Sequence, residues 1–367
     1  MVKILDLYIL KKFFSTLFFI LLLLAVIFIV IDINEKYNRL TDSKQTISDA
    51  LLHYYPFLMI WVTNMFFSIV VFISVIWFTS RITNQTEVVA IISSGTSFFR
   101  FSKPYFVGGI LIGFVALLMN HFILPWVNIK KNKYETEFLQ TSSQKEEYNT
   151  AKVIASQLSP NEYLFVNSYN RITKSGTGFH YQKFDSLRRL TRELRAEELI
   201  WNEIDTQYVL RNYYEKIIHI PPKPDSLVRG TELKERFNFT PDELLPESYV
   251  AETMNSLQLV EVIEKEKMKG SGSIEKYLAE LYKRTSLPVA VVILTILALS
   301  LSSTKRRGGI GINLALGIVI AFVFIFSFQA LLIISEKGTL NPFFAVWLPN
   351  IVFGLLAIYL YFKRAYA

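Results

Sequence analysis

Residues 13–31 read Phe-Phe-Ser-Thr-Leu-Phe-Phe-Ile-Leu-Leu-Leu-Leu-Ala-Val-Ile-Phe-Ile-Val-Ile, an apolar stretch without a charge. At 1.5 Å per residue its roughly 19 residues reach across a hydrocarbon core of about 30 Å, which predicts a transmembrane helix. A cleaved signal peptide would have a shorter apolar core followed by small residues, whereas this run passes into Asp32-Ile33-Asn34-Glu35. We read it as a retained helix.

Working outward, the same length argument selects Tyr55–Phe78, Pro104–Leu124, Ser286–Ser303, Ile310–Ile334 and Phe343–Phe362. The chain has 367 residues, 51% of them hydrophobic, and a mean hydropathy of +0.32. That content gathers towards the two ends, while residues 128–285 read like a soluble domain. The predicted fold is an α-helical membrane protein with six transmembrane helices and an inserted all-β, jellyroll-like domain. Residues 1–124 hold helices one to three with a short helix near 84–97, residues 125–270 the insert, and residues 271–367 helices four to six.

The net charge of +8 does not point to nucleic acid, because the basic residues sit at the ends of apolar runs and not on one soluble face. Lys3, Lys11 and Lys12 precede the first run; Arg81, Arg100 and Lys103 separate the second and third; Lys305, Arg306 and Arg307 separate the fourth and fifth; Lys363 and Arg364 follow the sixth. Six crossings put all of these on one side, which the positive-inside rule makes cytoplasmic. The insert, Pro125 to about Thr285, then lies outside the cytoplasm. The chain has no cysteine, which excludes disulfides, zinc thiolates and a thiol nucleophile.

Within the insert, Lys152–Gln157, Tyr163–Ile172, Gly178–Phe184, Leu187–Trp201 and Gln207–Ile220 favour β-branched and aromatic residues. Turn residues at Ser159-Pro160-Asn161, Lys174-Ser175-Gly176 and Pro221-Pro222-Lys223-Pro224 divide them, so short strands of a sandwich, jelly roll or open barrel are expected. Leu187–Leu199 also suits a helix. Met254–Lys269 and Ile274–Arg284 carry apolar residues at three and four spacing and predict two amphipathic helices. The Gly270-Ser271-Gly272-Ser273 hinge joins them, with Ser273 as N-cap of the second.

Little in the sequence carries catalysis. His53, His121, His180 and His219 show no metal-ligand spacing, no Gly-x-Ser-x-Gly elbow sits in a strand-turn-helix setting, and no phosphate-binding Gly-x-x-x-x-Gly-Lys-Ser/Thr loop is present. No catalytic and no metal-binding residue is expected. The runs are almost free of the carboxylates and lysines an ion-coupled carrier would show, so energy for transport would come from a separate ATPase. Asn84–Ser97 offers it a handle: Glu87, Val88, Val89, Ile91 and Ile92 suit a short amphipathic helix ended by Gly95. Beyond the first run, Lys36 and Arg39 stand at headgroup level, where cations pair with phosphates or carboxylates of an anionic lipid.

Three segments of the first half, Leu5-Asp6-Leu7-Tyr8-Ile9-Leu10, Thr86-Glu87-Val88-Val89-Ala90-Ile91-Ile92-Ser93-Ser94-Gly95 and Asn120-His121-Phe122-Ile123-Leu124-Pro125, together resemble the LptF/LptG permease family of lipopolysaccharide export. So do Glu280-Leu281-Tyr282-Lys283-Arg284-Thr285-Ser286-Leu287-Pro288, Lys305-Arg306-Arg307-Gly308-Gly309 and Ala345-Val346-Trp347-Leu348-Pro349-Asn350. The opening motif leans towards LptG over LptF.

The resemblance implies a multi-pass protein of the bacterial inner membrane, with the insert as a periplasmic β-jellyroll. It implies a paralogous LptF/LptG partner subunit, an LptB-like ATPase dimer carrying the ATP and magnesium, LptC and LptA-like periplasmic proteins, and lipopolysaccharide as cargo, with no cofactor on this chain. Glu87, Val88, Val89, Ile92 and Gly95 would form the ATPase-coupling helix, and Lys36, Arg39 and Arg284 the rim that meets lipid. A mechanotransmission protein that carries no lipid is the alternative.

Overall fold

The computed structural model describes residues 4–42, 47–139, 150–219, 223–244, 248–269, 274–305 and 309–366. Lys3, the Pro221-Pro222 turn, the Gly270–Ser273 hinge with its Ser273 cap, and Arg306-Arg307-Gly308 lie outside the described residues. Two compact units emerge: one from residues 1–139, 251–259 and 275–367, the other from 140–250 and 260–274.

The first unit holds α1 (Ile4–Asp42), α2 (Ile47–His53), α3 (Tyr55–Asn84), α4 (Glu87–Ser93), α5 (Phe98–Leu118), α6 (Leu124–Tyr134), α7 (Ser248–Thr253, in its last residues), the start of α8 (Ser256–Lys269), α9 (Ile274–Ser302), α10 (Gly309–Glu336) and α11 (Pro342–Ala365). Among the described residues, six helices are long and apolar enough to cross a membrane. Their ends follow from local chemistry. Ser97 accepts a bond from the Arg100 backbone N–H and caps α5, and Asn341 does the same for α11 through Phe343. Pro342 stands in the first turn of α11, where its missing N–H costs nothing.

The third span is longer than its apolar run, because α5 and α6 are spliced by a π-turn, Met119–Ile123, into a rod of 42 residues ending at Leu139. The cause is Pro125: it lacks an N–H for the carbonyl one turn back, and a wider turn absorbs the mismatch without breaking the helix. The fourth span also departs from expectation. Ile274–Arg284 and the apolar run fuse into one helix of 29 residues, since no residue between them stops it. Pro288 removes the donor for the Arg284 carbonyl, and Asn120 Nδ2 takes that place at 3.3 Å.

Phe13, Phe72, Val75, Phe101, Tyr105, Leu294 and Phe353 are buried in the main apolar core of the bundle. Lipid tails are as apolar as these side chains, so packing and polar pairs must hold the helices together. Asn313 donates to Ser80 at 3.1 Å, Asn350 to Ser286 at 2.8 Å, and Ser102 and Tyr361 meet at 2.6 Å. Each such pair contributes on the order of 1 kcal/mol in a membrane.

The second unit is built on one antiparallel sheet, β1 (Thr150–Ser159), β2 (Glu162–Asn170), β3 (Ser175–Phe184), β4 (Leu190–Asn202), β5 (Gln207–Ile217) and β6 (Ser226–Glu235), paired in sequence order among the described residues. Leu190–Asn202 is strand, so the helical reading of that stretch is set aside: Leu194, Ala196 and Leu199 face the core between charged neighbours. Strand β6 adds to the strands expected from the sequence. Its side chains are mostly exposed, so it carries no apolar period to read.

Core-facing positions alternate along β2 to β5, then slip by one residue at a common line: Val166 to Tyr169, Phe179 to Gly176, Ala196 to Leu199, and Leu210 to the half-buried Tyr213. All four strands slip together, so the pairing register is kept; Phe165↔His180 and Ser168↔Thr177 bracket the line in β2–β3. The result is a crease across the strands that keeps apolar side chains on one face. Gly178, with φ 67, and Asn212, with φ 50, supply the left-handed conformations it needs.

Candidate functional site

Helix α4 has one anchored face and one open face. Val88 is fully buried in the bundle core that also holds Ile82, Phe98 and Phe101, and Ile91 and Ile92 pack against it. Val89 is 49% exposed, and Ala90 and Ser93 are exposed beside it. Gly95 has φ 88, and its N–H donates to the Ile92 carbonyl at 3.0 Å, so the glycine turns the chain out of the helix where a side chain would strain it. Glu87, Val88, Val89 and Ile92 are thus gathered on one short element with Gly95 at its end.

What spacing did not reveal is who holds that element. Tyr8 Oη donates to Glu87 Oε2 at 2.7 Å, and Lys12 Nζ lies 3.9 Å from Glu87 Oε1 and 4.6 Å from the centre of the Tyr8 ring. In the first turn of α5, the guanidinium of Arg100 makes a forked pair with Asp6 at 2.6 and 2.7 Å. These partners are 79 and 94 residues apart in sequence, too far for any periodicity to link them.

The other end of the first and third spans carries a polar network. Lys36 Nζ sits 2.7 Å from Asp32, donates to Tyr54 Oη at 2.6 Å and lies 3.9 Å from Glu135. Tyr54 donates to Glu135 at 2.7 Å, Lys131 pairs with Glu135 at 3.2 Å, and Tyr55 donates to Asp32 at 3.1 Å. Burial first, and Glu135 after it, push the Tyr54 hydroxyl far above the usual tyrosine range, so it stays a donor. Arg39 NH1 donates to the Leu139 carbonyl at 3.3 Å. Lys36 and Arg39 therefore share one helix and one neighbouring segment, residues 135–139.

Arg284 stands apart from them. It is 2% exposed, and its guanidinium donates to Glu280 at 3.1 Å, to Ser256 Oγ at 3.1 Å and to the carbonyls of Ala251 and Met254 at 3.1 and 2.9 Å. With His121 on Ser256 at 2.7 Å and Asn128 on the Glu252 carbonyl at 3.0 Å, it ties residues 251–256 to the third and fourth spans. Arg284 thus sits in a buried clamp, with four of its five guanidinium N–H groups bonded within the chain. Among the described residues, no group of three or more His, Asp or Glu side chains is placed to hold a metal ion.

A bundle of six long apolar helices interrupted by a folded antiparallel sheet defines a multi-pass membrane protein with one large extramembrane insert. Its ordered motifs are spread over nearly the whole chain, and they settle the kind. The family model described as lipopolysaccharide export system permease LptF/LptG matches residues 7–363, and the chain belongs to that family of transmembrane permease subunits. A comparison with curated proteins returns no match.

Proposed function

We propose that this chain is the permease subunit, in the LptG position, of an ATP-driven transporter that lifts lipopolysaccharide out of the outer leaflet of the bacterial inner membrane. An LptB-like ATPase dimer, holding the ATP and magnesium, docks on the exposed face of α4; a paralogous subunit completes the cavity. LptC and LptA-like proteins receive the lipid beyond the periplasmic insert. Lys36 and Arg39 meet the lipid's phosphates or carboxylates, and Arg284 holds the frame. The observation that carries this reading is α4: a helix with Val88 locked in the bundle and Val89 and Ala90 open is built to pass a push from outside into the spans.

Lys36 enters the reaction already paired. Its charge is met by Asp32 and Glu135, so lipid must compete for it, and a lipid that leaves is replaced by protein carboxylates without leaving a bare cation. Two substitutions test the proposal in the assembled complex. Glu87→Lys is expected to weaken ATPase co-purification while the chain still inserts. With a photoreactive residue at Tyr37, which is exposed beside Lys36, ATP-dependent capture of lipopolysaccharide should rise in Asp32→Asn. Equal ATPase recovery with Glu87→Lys, or no lipid captured at Tyr37 with ATP, would overturn the docking and the cargo assignments respectively.

A further inference from the structure

We infer that the first three turns of α1 are the positioning bracket for α4, held by two polar links that close over the segment from both sides. The inference rests on the reading of α4 as the ATPase contact. Glu87 begins α4 and is bound by Tyr8, with Lys12 beside both; Arg100 follows α4 and is bound by Asp6. Tyr8 and Lys12 are one turn apart on α1, and Asp6 lies half a turn before Tyr8, so one helix end spans the whole loop.

The links differ in kind. The Asp6–Arg100 fork has both partners mostly covered, with side-chain exposures of 14% and 24%, and a two-point fork fixes direction as well as distance. The Glu87 contacts are more exposed, at 33% for Glu87 and 34% for Lys12. The firm link therefore sets where α1 and the α5 end of the loop lie, and the looser one leaves Glu87 able to exchange Tyr8 for a donor on a docking protein. Ser97 and the buried Phe98 and Phe101 hold the α5 end from below, so the bracket and the core grip the same turn from opposite sides. A push on α4 is then carried into α1 directly as well as through α3 and α5. Tyr8 and Asp6 act as positioning residues.

The absence of cysteine allows clean labelling. Spin labels at Lys11 and at Ser94, just past the end of α4, both exposed, report the bracket in the full complex in lipid nanodiscs, alongside lipopolysaccharide released per ATP hydrolysed. Asp6→Arg and Arg100→Asp, each alone, should broaden the Lys11–Ser94 distance distribution and lower release per ATP about fivefold, as the loss of roughly 1 kcal/mol of positioning would. Combining them should restore both. Tyr8→Phe, which keeps the ring under Lys12 and removes only the hydroxyl, should broaden the distribution without loss of assembly. A distribution unmoved by the single charge reversals overturns the bracket, and so does a broadened one with undiminished release per ATP. If the unaltered complex recruits no ATPase, the reading of α4 itself has failed, which the wild-type control shows separately.

Discussion

Three donors converge on one oxygen of Glu193 in the insert: His180 Nε2 at 2.9 Å, Arg195 Nε at 2.8 Å and Arg195 NH2 at 2.5 Å. Burial by itself raises this carboxyl's pKa, but the bonds from Arg195 and then His180 outweigh it and hold the group below the usual glutamate range. A depressed folded-state pKa means stability that is present above the unfolded value and lost as pH falls through the folded one. The gap in thermal stability between wild type and Glu193→Gln, measured on the full chain, should therefore hold above about pH 5 and narrow as pH is lowered from there towards about 3. A gap that is the same at both ends of that range would remove the carboxylate from the explanation. Residues of this kind were not legible beforehand, and neither was the Tyr8 contact to Glu87. Glu87 and Gly95 stood out because a helix start and a left-handed helix end have local signatures, whereas a partner 79 residues away has none. The Arg284 clamp is hidden for the same reason, since nothing local links this residue to the Ala251 and Met254 carbonyls that it bonds.

Elements were easier to read where their faces meet different surroundings. The spans, with tails outside and packing inside, declared themselves through length and composition, and β2 to β5 through alternation. Strand β6 did not, because both of its faces are largely exposed, and the joined α9 did not, because its two halves sit in different solvents although the helix is continuous. The crease lies between these cases. The slip from Ala196 to Leu199 is visible once the strand is known; before that, the charges of Leu187–Leu199 suit a helix face as well as a strand. At Gly178 an added Cβ would meet the Asn167 side chain on a backbone at φ 67. Gly178→Ala is thus expected to destabilise the insert by about 1–3 kcal/mol. Asn212→Gly, which relaxes φ 50 and gives up only the exposed bond to Glu197, should cost far less. Hydrogen exchange of the β3 and β4 amides in the full chain separates the two, and equal protection in both variants would mean that the sheet does not depend on the crease.

For the whole molecule the decisive arrangement is that two extramembrane surfaces, α4 and the insert, are served by one set of spans. In the proposed topology α4 follows an even number of crossings and the insert an odd number, which would set them on opposite sides of the membrane. The positive-inside rule supports the α4 side as the cytoplasmic one in that proposal, since Lys11, Lys12, Arg81, Arg100, Lys103, Lys305, Lys363 and Arg364 all belong to it. The insert's own charges do not count against the proposal, because the rule applies to short loops and not to long folded segments. A single cysteine at Ile204, on a turn of the insert and 92% exposed, should react with a membrane-impermeant maleimide added to cells whose outer membrane is permeabilised. A cysteine at Val89 should react only after the inner membrane is opened as well. With no native cysteine to blur the signal, labelling of Val89 from outside would reverse the orientation, place α4 away from any cytoplasmic ATPase, and remove the basis for energy entering the transporter through that helix.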